Sequence, residues 1–196
     1  MSIHIGKAKI SVSYYFFAAA ALAALCCRDT LFLCGAAAAA IHESGHLAVM
    51  LLLPDVSVRK ISVGVPGIRI TADGNTGRPL ILAAGAAANI LAAVFSFIWF
   101  CAGESAAAVG MLAADICLAL CNLLPIEPLD GGLLLRCIIE KKLLPDAADR
   151  LMLIVSLSVL CPLTVMTLLA VLRSRGNYSL LILCLWLLTH TIRDYV

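Results

Sequence analysis

Charged side chains are scarce in this sequence: 13 % of the 196 residues are Asp, Glu, Lys or Arg, and the formal net charge is only +2. A typical soluble domain is about 25 % charged. The small positive charge excludes a surface that follows nucleic-acid phosphates, so no nucleic-acid partner is expected. Hydrophobic residues reach 63 %, which excludes a disordered chain and an ordinary soluble enzyme, because a fold of this size cannot bury so much apolar surface.

The sequence also lacks the cysteine patterns of zinc ribbons and disulfide-stabilised domains. Its nine cysteines are odd in number, most lie inside apolar runs, and no pair of CxxC motifs is present. We therefore interpret them as small packing residues in helices. A cleavable signal peptide is not expected either, because the apolar stretch after Lys7 and Lys9 has no small-x-small site followed by a polar segment.

Long apolar runs are what the sequence has in abundance. Six of them are 17 residues or longer, namely 10–27, 30–53, 79–103, 105–126, 151–172 and 176–192. Each is long enough to cross a hydrocarbon core of about 30 Å. The pattern predicts an all-α polytopic membrane protein with about six transmembrane helices, surrounded by the lipid bilayer.

The positions of the basic residues predict the orientation of the chain. With the N-terminus inside, the inner segments carry 11 of the 14 Lys and Arg residues, in agreement with the positive-inside rule. Both termini are therefore expected on the cytoplasmic side. Arg173 and Arg175 are the exception and leave the orientation of the last hairpin open.

Two segments do not have the pattern of a span. Apolar and polar residues alternate over residues 56–72 on both sides of a Pro66-Gly67 turn, which predicts a small β-hairpin at the inner membrane surface. A weaker alternation over residues 3–12 allows a further strand. Residues 131–142 are typical of a short amphipathic helix.

The second apolar run contains the motif His42-Glu43-Ser44-Gly45-His46. Positions i and i+4 share a helix face, so both imidazoles can point at one metal ion. Glu43 lies beside them, where a general base for a metal-activated water is needed. The alternative is that the histidines donate hydrogen bonds in helix packing, but a glutamate inside a bilayer is costly and is usually functional.

A hydrolytic zinc site needs three protein ligands and one open position. Asp130 is the favoured third ligand, because Pro125 and Pro128 break the helix before it and allow its carboxylate to approach a metal. Irregular backbone at membrane depth is tolerated only where it lines a cavity. Asp115 and Glu127 are alternative ligands, and the alternative role for Asp130 is as the N-cap of the following helix.

Together the two motifs resemble those of a known family. The HExxH run in one span, followed two spans later by Asn122-x-x-Pro125-x-x-Pro128-Leu129-Asp130-Gly131, is similar to the pattern of the site-2 protease family of intramembrane zinc metallopeptidases. The resemblance extends over roughly residues 1–142. It implies a zinc metalloendopeptidase that acts in regulated intramembrane proteolysis.

The resemblance also implies roles for individual residues. His42, His46 and Asp130 would bind Zn²⁺, Glu43 would activate the attacking water, and Asn122 would help to hold the substrate. A weaker match lies in the third span, where Gly85 and Asn89 fit the family's G-P-x-x-N pattern but Ala86 replaces the proline. Asn89 is a second candidate for substrate binding, with an interhelical hydrogen bond as its alternative role.

The partners that the resemblance implies are membrane-embedded or membrane-tethered regulatory proteins, such as pro-sigma or anti-sigma factors, cut near the cytosolic face. Membrane proteins that inhibit or activate the protease are further candidate partners. The compact layout is most similar to the sporulation branch that processes a pro-sigma factor, which implies a bacterial cytoplasmic or forespore membrane.

We expect a single domain over residues 1–196, with a core at 1–142, two accessory spans within 151–192, and no CBS or PDZ module. Two alternative functions stay open. The first is a catalytically silent membrane scaffold of the same fold. The second is a metal transporter in which His42, His46 and Asp115 form a transit site.

Overall fold

The computed structural model describes residues 2–5, 8–12, 30–53, 57–64, 67–73, 77–103, 105–174 and 178–195. The chain divides into two compact units, Met1–Ala119 and Leu120–Val196. The single-domain organisation stays a prediction. In chain order the elements are β1 (Ser2–Ile5), β2 (Ala8–Val12), α1 (Thr30–Leu52), β3 (Ser57–Gly64), β4 (Gly67–Asp73), α2 (Arg78–Gly103), α3 (Ala106–Asn122), α4 (Asp130–Ile139), α5 (Pro145–Ser174) and α6 (Ser179–Tyr195).

The first unit contains a four-stranded sheet of order β1-β2-β3-β4. Strands β3 and β4 pair antiparallel from Ser57 opposite Asp73 to Gly64 opposite Gly67, over the segment where the sequence predicts a hairpin. Strand β2 joins β3 in parallel and β1 in antiparallel register. Residues 3–12 therefore contribute two strands where the sequence indicates one. The location of the sheet at a membrane surface stays a prediction.

Helices α1 and α2 pack closely because small residues line their contact. The ideal Cβ position at Gly45 of α1 lies 2.6 Å from the carbonyl oxygen of Ala84 and 2.7 Å from Cβ of Ala88, both on α2. Only glycine fits at such a backbone approach. The buried residues of α1 follow a spacing of four and so form one face: Cys34, Ala38, His42, His46 and Met50.

The opposite helix faces expose large apolar side chains. On α2, Phe95 is 72 % exposed and Leu91 is 62 % exposed. Among the described residues, α2 and most of α5 (Pro145–Arg173) are long and apolar enough to cross a membrane, while α3 and residues 180–193 of α6 are shorter apolar helices. These features indicate a membrane protein, since a water-soluble monomer rarely exposes apolar surface of this extent.

The six-span count is not established by the described residues. The first predicted span, 10–27, begins inside β2, and residues 13–27 lie outside the described part. The fourth predicted span, 105–126, extends four residues beyond the helix, because α3 ends at Asn122. Pro125 and Pro128 explain this difference, since neither has an amide hydrogen to continue the helical hydrogen bonds.

The remaining helices differ from the sequence expectations mainly at their ends. Helix α4 spans Asp130–Ile139, whereas the sequence predicts a short helix over 131–142. Helix α5 begins at Pro145, six residues before the predicted span 151–172, and continues past Pro162. Proline is well tolerated in a first helical turn, which accounts for the earlier start.

The second unit is organised around the segment that joins α3 to α4. Ile126 of this segment is fully buried against Leu160 of α5 and Leu187 of α6. The hydroxyl of Thr191 on α6 donates a hydrogen bond of 3.2 Å to the carbonyl oxygen of Glu127. Helices α5 and α6 therefore support the segment that precedes Asp130.

The α1–α2 contact generates a first prediction. Replacing Gly45 with Ala forces the helices apart, and overpacking of this kind costs about 1–3 kcal/mol. We expect a lower Tm for Gly45→Ala in thermal unfolding of the detergent-purified protein. The matched control is Gly35→Ala on the same helix, where an added Cβ meets nothing within 4 Å. Equal losses of Tm in the two variants would show that the close approach at Gly45 is not needed for stability.

Candidate metal centre

Two buried imidazoles lie one helical turn apart on α1. His42 is 5 % exposed and His46 is 8 % exposed. Their Nε2 atoms are 3.2 Å apart, and the ring planes are inclined by 85°. Two nitrogen ligands at about 2.05 Å from a tetrahedral zinc ion are roughly 3.3 Å apart. The pair therefore fits a single metal ion of that size.

A backbone contact selects the tautomer of His46. Its Nδ1 lies 2.7 Å from the carbonyl oxygen of Ile81 on α2. A carbonyl only accepts, so Nδ1 carries the proton and donates this hydrogen bond. The lone pair of the neutral ring is then on Nε2, the atom that faces His42. This is the arrangement by which outer contacts orient metal-binding histidines in proteins.

Gly85 of α2 makes room for both imidazoles. A Cβ at this position would collide with Nε2 of His46 and would lie 2.7 Å from Nε2 of His42. The backbone of α2 thus forms one wall of the centre, and any larger residue would displace the rings. From the sequence, Gly85 is only a match to the family pattern, since its contact with the histidines depends on how α1 and α2 pack.

Asp130 completes a group of three candidate ligands. One ligand atom from each of His42, His46 and Asp130 lies within 4.8 Å of the other two. Asp130 is the first residue of α4, and the N-cap is Leu129, which makes no side-chain cap hydrogen bond. The alternative role of Asp130 as an N-cap is therefore wrong, because the helix begins one residue earlier than that role requires.

Asp115 and Glu127, the two alternative ligands, do not group with the histidines. Within the described part of the chain, neither belongs to a group of three candidate ligands. The carboxylate of Glu127 lies 3.2 Å from Nη1 of Arg136, so it is engaged by a cation. Asp115 is fully buried on α3, and neither of its oxygens has a hydrogen-bond partner among the described residues.

The remaining predicted site residues lie on three helices. Glu43 is half-buried on α1, directly after His42, and Asn122 is the last residue of α3. Asn89 is 0 % exposed, and its side-chain oxygen and nitrogen have no hydrogen-bond partner within the described residues. It follows Gly85 by four residues and so lies on the same face of α2. The functional roles of these residues stay predictions.

Comparisons with known proteins address the fold. Scans of the sequence against protein-family models and against curated proteins gave no match. Among solved structures, the chain is similar to the site-2 protease from Methanocaldococcus jannaschii, with a TM-score of 0.68 and 19 % sequence identity, covering 100 % of this chain and 96 % of that one. The chain therefore has a fold similar to that of a site-2 protease.

The contact of Gly85 with both histidines generates a second prediction. In Gly85→Ala the added methyl group displaces the imidazoles, and we expect zinc affinity to fall about 10- to 100-fold, as it does when groups around a metal ligand are disturbed. Zinc would be measured by competition with a chelator in detergent. The control is Gly103→Ala on the same helix, where nothing lies within 4 Å of the added atom. Equal zinc affinities in the two variants would argue against a metal between these rings.

Proposed function

We propose that this chain is an intramembrane zinc metalloprotease that hydrolyses peptide bonds of membrane-embedded or membrane-tethered regulatory proteins near the cytosolic face. The observation that carries the proposal is the grouping of two buried imidazoles with one carboxylate, next to a glutamate on the same helix. The similarity of the fold to a site-2 protease supports the same conclusion.

The donor set suits zinc. Two neutral imidazoles and one carboxylate leave a fourth position open, which is the arrangement of catalytic zinc sites. When bound, zinc supplies Lewis acidity, which polarises a peptide carbonyl and makes water more acidic. His42, His46 and Asp130 would hold the ion, and the Ile81 carbonyl would keep Nε2 of His46 available to it.

Glu43 has the chemistry of the general base. A carboxylate next to the metal ligands would accept a proton from water as the water oxygen attacks the peptide carbonyl carbon. It would then give this proton to the departing nitrogen as the C–N bond breaks, so that an acid and an amine are released. Its place directly after His42 keeps it beside the ligand face.

Asn89 and Asn122 are the proposed substrate-binding residues. A buried amide without a hydrogen-bond partner is costly. Neither the side-chain oxygen nor the side-chain nitrogen of Asn89 has such a partner among the described residues. An incoming peptide backbone would supply the missing donor and acceptor. Asn122 ends α3 just before the segment that leads to Asp130, and it would bind the same substrate.

The cellular setting belongs to the same proposal. The exposed apolar faces suit a lipid bilayer, and the distribution of Lys and Arg supports a multi-pass chain with both termini in the cytoplasm. The resemblance of the compact layout to the sporulation branch favours a bacterial cytoplasmic or forespore membrane, with a pro-sigma or anti-sigma factor as substrate. Membrane proteins that inhibit or activate the site are further proposed partners.

A metal transporter is less well supported. That function would use Asp115 with the two histidines, whereas the carboxylate that groups with them is Asp130. A catalytically silent scaffold would not need His42, His46 and Asp130 to lie close together. The following experiments separate these functions.

The third prediction concerns zinc content. We expect about one zinc per chain in the detergent-purified wild type, measured by mass spectrometry, and its loss in His46→Ala and in Asp130→Ala, because three protein ligands are needed. The controls are His190→Ala and Asp146→Ala, which remove the same chemical groups elsewhere. Retention of zinc in Asp130→Ala alone would shift the third ligand to Asp115 or Glu127. A folded wild type without zinc would contradict the protease function.

The fourth prediction concerns Glu43. We expect Glu43→Gln to keep its zinc and to lose cleavage by about 10²-fold or more, because the amide cannot accept the proton. The assay uses proteoliposomes that contain the protein and a fluorescent transmembrane peptide, with Glu140→Gln as the control. Undiminished cleavage by Glu43→Gln would remove Glu43 from the mechanism. A zinc-loaded wild type that cleaves no tested substrate would favour the scaffold.

A further inference from the structure

Arg136 on α4 connects three carboxylates through three different nitrogen atoms. Nε lies 2.6 Å from Oε1 of Glu140, Nη1 lies 3.2 Å from Oε2 of Glu127, and Nη2 lies 2.5 Å from Oδ1 of Asp149. Glu140 follows α4, Asp149 belongs to α5, and Glu127 belongs to the segment between α3 and α4. One guanidinium thus joins that segment to two helices.

The ion pair with Glu127 differs from the other two in its burial. The side chain of Glu127 is 11 % exposed, whereas those of Glu140 and Asp149 are 42 % and 43 % exposed. Exposed ion pairs contribute little, because water solvates both charges. A buried carboxylate that loses its cation costs far more, because its charge is then uncompensated. Of the three ion pairs, the one with Glu127 is therefore the one that contributes most to holding the segment.

The same segment is held at other points. The carbonyl oxygen of Glu127 accepts a hydrogen bond from Thr191, and Ile126 is buried between α5 and α6. An added Cβ at Gly132 would lie 2.6 Å from the backbone nitrogen of Glu127, and one at Gly131 would lie 2.7 Å from the carbonyl oxygen of Leu124. The start of α4 therefore lies directly against the segment.

We propose that Arg136 is a positioning residue for Asp130 and acts through Glu127. This inference rests on the proposed function, in which Asp130 is a metal ligand. Asp130 lies between the two partners, three residues after Glu127 and six before Arg136. An ion pair that closes this short stretch fixes the first turn of α4 and with it the Asp130 carboxylate. Without Arg136, the Glu127 carboxylate would lose this cation, and the ion pair would no longer tie the segment to α4.

The test is zinc affinity in the detergent-purified full chain, measured by competition with a chelator. We expect zinc to bind about 10- to 100-fold more weakly in Arg136→Gln and in Glu127→Gln, the usual effect of losing an outer partner of a metal ligand. Glu140→Gln is the matched control, because it removes a contact of the same guanidinium that does not reach the segment. Its affinity should stay within about twofold of wild type.

The double variant Arg136→Gln/Glu127→Gln separates positioning from folding. It leaves no uncompensated buried charge at this link, so its zinc-free form should unfold at a Tm close to that of wild type. Its zinc affinity should be as weak as that of the single variants, because all three lose the same link and their effects are not additive. Cobalt in place of zinc should give an altered absorption spectrum in this variant and an unaltered one in Glu140→Gln.

The outcomes distinguish this inference from the proposed function. If wild type binds zinc, Asp130→Ala does not, and the double variant binds as tightly as wild type, the positioning role of Arg136 is overturned and the proposed function stands. If wild type holds no zinc, both are overturned. If affinity falls in the double variant while its zinc-free Tm is retained, Arg136 positions the ligand.

Discussion

The close approach of α1 and α2 is the constraint on which the candidate centre depends. Gly45 brings the backbone of α1 against α2, and Gly85 leaves the space that the rings of His42 and His46 fill. At this separation the Ile81 carbonyl reaches Nδ1 of His46. Small residues therefore do two things here: they pack two helices, and they leave room for a pair of imidazoles inside an otherwise apolar contact.

Buried polar side chains in the described residues differ in whether they have a partner. Nδ1 of His46 is paired with a backbone carbonyl, and Glu127 with a guanidinium. Asn89 and Asp115 differ, since their side-chain atoms have no hydrogen-bond partner among the described residues. Such groups are expensive in an apolar surrounding. In the proposed function a bound substrate supplies the missing partners of Asn89, whereas nothing described in the structure supplies those of Asp115.

Features that depend on short-range interactions follow from the sequence, whereas those that depend on tertiary packing do not. The pairing of His42 with His46 follows from helix geometry over four residues, so the sequence alone predicts it. The apolar runs likewise predict α1, α2, α5 and α6, because length and hydropathy decide them. The predicted span 105–126 extends past the end of α3 at Asn122, although Pro125 and Pro128 signal that end. The contacts of Gly85 and the links of Arg136 depend on tertiary packing, which no local pattern reveals.

This difference in range has a consequence for the two halves of the donor set. The imidazoles lie on one helix, and their spacing persists as long as α1 is helical. Asp130, which carries the carboxylate, is the first residue of a helix of only 10 residues. A helix this short is marginal without tertiary support. That support comes from the ion pair of Arg136 with Glu127, the hydrogen bond of Thr191 to Glu127 and the burial of Ile126. Changes in α5 and α6, far from the histidines in sequence, should therefore act on the proposed metal centre through Asp130.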